Sequence, residues 1–195
     1  MRLNAAPELA PPGAGLPKME LIIGRMIFAC KGRMSRRKVS TAKFRQERKL
    51  IRHLVNSSDA ESGARRVLIK RPRGMEDSSR YWSVWMTLDH LRIVNLACAN
   101  IIATLTKGVV PPGEANVAAV KPNPAVTAAI VTEYEAACDA VLTAAVVPPD
   151  LKSAVSFAHP WFGPLDAWGW HTLAGEHMAV DRVQIERILQ GLKGK

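Results

Sequence analysis

Apolar residues recur along most of this chain at three- and four-residue intervals, the spacing that gathers them on one face of a helix. From Lys18 to Met34 the stripe is Met19, Ile22, Ile23, Met26, Ile27 and Cys30. A second, weaker rhythm of Phe44, Leu50, Ile51, Leu54 and Val55 predicts a helix over about 41–56, closed by Ser57-Ser58-Asp59. Residues 59–77 read as a loop holding one short apolar run, Val67-Leu68-Ile69. The strongest pattern runs from Tyr81 to Leu105, with Asp77-Ser78-Ser79 as candidate caps and Gly108 and Pro111-Pro112-Gly113 as the stop. A proline-rich connection over 107–122 leads to an Ala- and Val-rich helix over 124–146, closed by Pro148-Pro149. The last helix is predicted over about 165–192. Alternation of period two is nowhere long enough to predict a strand, and no repeat of 20–50 residues is present.

Long helices joined by loops predict an all-α fold, a four-helix bundle. The Pro-, Ala- and Gly-rich residues 1–17 read as a flexible arm, and residues 18–195 as one domain. Charge changes the picture in one respect. The net charge of +10 is concentrated early: residues 1–80 hold 19 Lys/Arg against 7 Asp/Glu, and residues 81–195 hold 8 against 10. Ten of the positive charges lie in 31–52, which therefore reads as an extra basic helical segment, added to the bundle or continuing its first helix. That run could grip phosphates. Aromatic residues for base stacking are nearly absent from it, Phe44 being the one instance, so nucleic acid is a disfavoured partner.

Cys30, Cys98 and Cys138 are scattered and odd in number, which indicates neither a zinc knuckle nor a disulfide framework. Reduced thiols and a cytoplasmic setting follow as the expectation. No run reaches the roughly 18 apolar residues of a spanning segment, and Arg25 interrupts the apolar stretch before Cys30, so neither a membrane nor export is expected.

The candidate chemistry is on two predicted inward faces. His90 shares its face with Met86, Ile93, Val94 and Ala97. His177 lies among Leu173, Ala174 and Val180, and Asp181 follows it by one turn. Buried imidazole and carboxylate groups lose hydration and need partners. A divalent cation would serve all three, and three protein ligands leave a coordination position open, as catalytic sites require. The competing reading is a core histidine and an ordinary hydrogen-bonded i,i+4 pair. Gln184 and Asp89 are candidates for supporting contacts, although Asp89 points about 100° away from His90 and reads better as solvated or capping. His171 reads as a loop-end or surface residue, His53 as exposed, and His159-Pro160-Trp161-Phe162-Gly163 as a plug beneath the bundle. HExxH, GxGxxG, P-loop and G-x-S-x-G patterns are all absent.

Arg80-Tyr-Trp82-Ser-Val-Trp85-Met-Thr-Leu-Asp-His90-Leu-Arg92-Ile resembles the second helix of the DinB/YfiT-like family of metal-dependent enzymes. His159-Pro-Trp-Phe-Gly163-Pro-Leu, then Trp168 and His177-Met-Ala-Val-Asp181-Arg-Val-Gln184-Ile, resembles that family's final loop and helix; the similarity covers residues 75–192. The resemblance implies a four-helix bundle holding a divalent metal through His90, His177 and Asp181, the last standing where the family usually has histidine. Zinc or nickel is then expected ahead of iron or manganese. The implied activity is that of a metal-dependent transferase or hydrolase acting on a small molecule, with a low-molecular-weight thiol as candidate cosubstrate and a homodimer as candidate assembly. The alternative is a metal-free helical binding module, associated with nucleic acid through 31–52. The sequence assigns no catalytic residue beyond the metal set.

Overall fold

The computed structural model describes residues 7–34 and 36–194. Among the described residues six α-helices carry the fold: α1 (Lys18–Met34), α2 (Arg37–Val55), α3 (Ala60–Ala64), α4 (Val84–Leu105), α5 (Ile130–Val146) and α6 (Ala167–Lys193). Two short antiparallel ladders interrupt them. In the first, β1 (Val67–Leu68) pairs with β2 (Tyr81–Trp82). In the second, β3 (Phe157–His159) pairs with β4 (Gly163–Leu165). Strands of two or three residues are too short for an alternating pattern to form, which is why the sequence shows none.

The bundle consists of α2, α4, α5 and α6, with α4 packed on α5 and α6, and α2 on α6 and α5. The basic segment is therefore one of the four helices, not an addition to them. Phe44 and Ile51 are fully enclosed and Val55 nearly so. The charges of α2 brace it on its neighbours. Arg48 bonds Glu135 and Asp139, and Arg52 also reaches Glu135. Glu47, buried, receives Arg182 of α6 at 2.7 Å. Lys43 pairs with Glu176 at 3.3 Å.

The helix that stands aside is α1. It turns Glu20, Gly24 and Phe28 toward the protein, and its predicted apolar stripe faces outward: Met19, Ile22, Ile23, Met26 and Ile27 are each half or more exposed. Glu20 anchors one end by accepting from Arg71 and from the Gly74 backbone N–H. Phe28 anchors the other end by stacking on Phe162, ring centroids 4.7 Å apart.

Residues 1–6 of the predicted arm lie outside the described residues. The described part is tied down. Ala10 N–H donates to Asp77 at 3.0 Å, and Gly13 and Gly15 N–H donate to the two carboxylate oxygens of Glu76. Both glycines have positive φ, the conformation that lets these alternate amides converge on one carboxylate.

Helix boundaries differ from expectation where side chains compete with the backbone. Asp77–Ser79 form a 3-10 turn, and Ser83 caps α4 by accepting from Met86 N–H at 3.2 Å. α5 begins at Ile130, because residues 123–125 form an Asx turn closed by Ala125 N–H to Asn123. By length and composition α4 is apolar enough to cross a membrane. Here it is the central helix of the bundle, and it buries Asp89, His90 and Asn95.

Candidate metal centre

His90 lies in the first half of α4, and His177 and Asp181 lie mid-way along α6, where the two helices pack together. The expected trio meets: one ligand atom from each falls within 4.8 Å of the others. His177 Nδ1 is 3.2 Å from Asp181 Oδ2, and His90 Nε2 is 3.9 Å from the same oxygen. Ligand atoms about 2.0 Å from a tetrahedral zinc lie roughly 3.3 Å apart, so these separations suit one cation with little movement.

The hydrogen-bond pattern prepares the donors. His90 Nδ1–H donates to the Val120 carbonyl at 2.6 Å. A carbonyl can only accept, so the proton is on Nδ1 and the Nε2 lone pair points free toward Asp181. An imidazole held this way by its distal nitrogen is the usual arrangement around metal ligands. His177 Nδ1 and Asp181 Oδ2 are both buried and have no hydrogen-bond partner among the described residues. They approach each other to 3.2 Å, within ion-pair distance, without meeting hydrogen-bond geometry.

Electrostatics agree with that geometry. Burial pushes the His90 pKa down to about 4 and that of His177 well below its usual value, the latter helped by the neighbouring His90 and His159. Both rings are thus neutral, the form that donates a lone pair. Burial also raises the Asp181 pKa well above the carboxylate range, and Lys121 opposes this only in part. The Lys121 ammonium is engaged elsewhere, with Glu76, Ser78 and Ser79 at 3.0, 2.9 and 3.3 Å. The carboxylate thus lacks a compensating charge that a cation would supply.

Around the trio opens a cavity of about 370 Å³. The His177 side chain is 29 % exposed and lines it, whereas those of His90 and Asp181 are 10 % and 4 % exposed. Its remaining wall is built by the β2 residue Trp82, the α4 face, the 111–121 connection, and the β3–β4 hairpin with Trp161.

Several candidate residues occupy other roles than the sequence suggests. Gln184 is fully buried and donates to the Ser79 carbonyl at 2.7 Å, which ties α6 to the turn before α4. Asp89 is not solvated. It is 3 % exposed, receives Arg92, and accepts from Asn123 N–H at 2.8 Å. His171 is also inside, 1 % exposed and bonded to Thr41 at 2.9 Å, because α6 is enclosed on all sides over Trp170–Gly175. His53 is exposed, as expected. The residues that sequence reasoning missed are Val120 and Lys121. A backbone carbonyl carries no sequence signal, and the one available hint was the proline spacing that stiffens this connection.

No family model matches the chain, and no curated protein matches it significantly. Among solved structures the fold is similar to that of TT2238, a four-helix bundle protein, with a TM-score of 0.55 and 16 % sequence identity. That match covers 77 % of this chain and 98 % of the other. At this identity the likeness shows the four-helix bundle and nothing finer.

Proposed function

We propose that the protein is a DinB/YfiT-like metal-dependent enzyme, a transferase or hydrolase for a small molecule, with His90, His177 and Asp181 as its metal ligands. The observation that carries this reading is the buried pair His177 Nδ1 and Asp181 Oδ2, 3.2 Å apart and without a hydrogen-bond partner among the described residues, facing the oriented Nε2 of His90. Leaving such groups unpaired costs about 1–3 kcal/mol each, more for a charged one. Two neutral imidazoles and a carboxylate suit zinc or nickel ahead of iron or manganese. A divalent cation bound there supplies Lewis acidity and lowers the pKa of a thiol or water. The chain's own residues hold the three donors, shield them behind α4 and α6, and leave His177 facing the cavity for a substrate to approach. A low-molecular-weight thiol is the candidate cosubstrate.

The test is the metal content of protein purified without a histidine tag or chelator, beside a His177→Ala variant. About one equivalent in the wild type, lost in the variant, is the expected result. A wild type that stays empty after incubation with zinc, nickel and manganese would overturn the reading. The alternative of a nucleic-acid module finds less support, since Arg48, Arg52 and Lys43 of the basic helix already pair with carboxylates of α5 and α6.

A homodimer through the outer face of α1 belongs to the same proposal. The five outward apolar side chains open on the order of 500 Å², so two copies pairing face to face bury roughly 1,000 Å², the lower bound for a specific interface. Their spacing at i, i+3, i+4, i+7 and i+8 makes the stripe self-complementary.

A further inference from the structure

Inside the cavity, the charged side chains other than the His90–His177–Asp181 trio are already partnered or lie at its mouth. Glu76 accepts from the Gly13 and Gly15 amides and from Lys121, and Lys121 uses its remaining donors on Ser78 and Ser79. His159 Nδ1 accepts from Trp161 N–H at 3.1 Å, which leaves Nε2 as the protonated nitrogen of that neutral ring. Asn100, Glu114 and Asn116 line the cavity but are exposed, so they belong to its mouth. What remains is apolar, with four aromatic rings, Trp82, Phe157, Trp161 and Trp170, set among aliphatic residues such as Val94 and Ile101. Such walls offer few hydrogen bonds to the hydroxyl, amide or carboxylate groups of a hydrophilic molecule, and burying those groups unpaired is costly. They reward apolar area instead.

We propose that this cavity takes a compact apolar organic molecule, aromatic or branched-aliphatic and of about 15–20 heavy atoms, with a single electron-pair donor directed at His90, His177 and Asp181. The donor rests on the metal reading given above; the apolar body rests on the walls alone. The size follows from the 370 Å³ volume, which lies near the lower end for small-molecule sites. His159 Nε2–H is a further polar contact available to such a body within these walls.

Two titrations keep the two ideas apart. Metal-free protein is titrated with 4-phenylbutan-1-ol and with butane-1,4-diol, and binding is followed by tryptophan fluorescence and calorimetry. Saturable 1:1 binding of the phenyl alcohol, at least about tenfold tighter than the diol, is expected. Ala97→Phe, at an exposed cavity-lining position of α4, should weaken it at least about tenfold with an unchanged melting temperature; Val94→Phe is the second variant if that one misfolds. No saturable binding, or equal binding of the diol, overturns the proposal. Zinc-loaded protein is then titrated with acetohydroxamate and with 4-phenylbutanohydroxamate. A gain of at least about thirtyfold for the phenyl-bearing ligand supports the proposal, and equal affinities overturn it. Binding of the phenyl alcohol by protein that takes up no zinc supports the apolar cavity and sinks the metal reading instead.

Discussion

His90 donates its Nδ1 proton to the carbonyl of Val120 at 2.6 Å, and the next residue, Lys121, is bolted to Glu76, Ser78 and Ser79. The connection between α4 and α5 thereby holds one imidazole of the trio by its far nitrogen. Lys121→Met would release that strap without touching a ligand. Zinc affinity, measured by chelator competition, should fall about tenfold, the usual cost of losing a supporting contact. Stability should fall by about 1–3 kcal/mol, because Glu76 loses its cation while buried. Unchanged zinc affinity in a folded variant would show that the strap does not orient His90.

Much of the site was legible because two periodicities coincide in it. His90 falls on the apolar stripe of α4, and His177 with Asp181 falls on that of α6, so a 3.6-residue period alone aims all three inward. The role of α2 was harder to read. Ten Lys and Arg in 31–52 obscured the sparse core positions Phe44, Ile51 and Val55, and charge suggested an outlying helix where ion pairs to α5 and α6 make a central one. The reverse happened at α1, whose regular apolar stripe is the face left open. Periodicity reports that a helix has two unlike faces. It does not report which neighbour, or which copy of the chain, covers the apolar one.

His171 illustrates a contact that no pattern along one helix contains, since its partner Thr41 is on another. It also makes stability depend on pH. Burial lowers the folded-state pKa to about 4 from 6.5. The unfolded chain therefore binds the proton first as pH falls. The stability tied to a neutral His171 is complete above pH 6.5, declines between 6.5 and about 4, and is flat below that. The loss should amount to no more than about 3 kcal/mol. In His171→Asn, urea unfolding across this window should show a shallower decline than the wild type. Parallel declines would mean that His171 is not titrating.

Gly63 in α3 lies against the ring of Trp85, whose Nε1 donates to the Ala60 carbonyl at 3.1 Å. A Cβ at position 63 would sit 2.2 Å from the ring carbons of Trp85. Elsewhere in a helix, glycine to alanine stabilises by about 0.5–1 kcal/mol. Here the indole is 2 % exposed and cannot swing away, so overpacking should dominate. Gly63→Ala should cost about 2–4 kcal/mol in chemical denaturation. A neutral or stabilising result would show that α3 can move off α4 freely.

The apolar stripe of α1 stands open, each of its five large side chains half or more exposed. If two copies of α1 cover each other, a charge at the centre of the stripe must be buried unpaired or the pair must separate. Ile23→Glu and Met26→Glu both change outward positions, 52 % and 65 % exposed, that make no core contact. Each should leave the thermal stability of a protomer within about 0.5 kcal/mol, as surface substitutions do. Each should also weaken self-association at least about tenfold in sedimentation or light scattering, with a larger effect when both are combined. The anchors of α1 on the protein, Glu20 with Arg71 and Phe28 with Phe162, are untouched by these changes. A dissociated species would thus report the loss of the interface and not the loss of the helix. A wild type that remains monomeric at the highest attainable concentration would instead leave the stripe to some other partner.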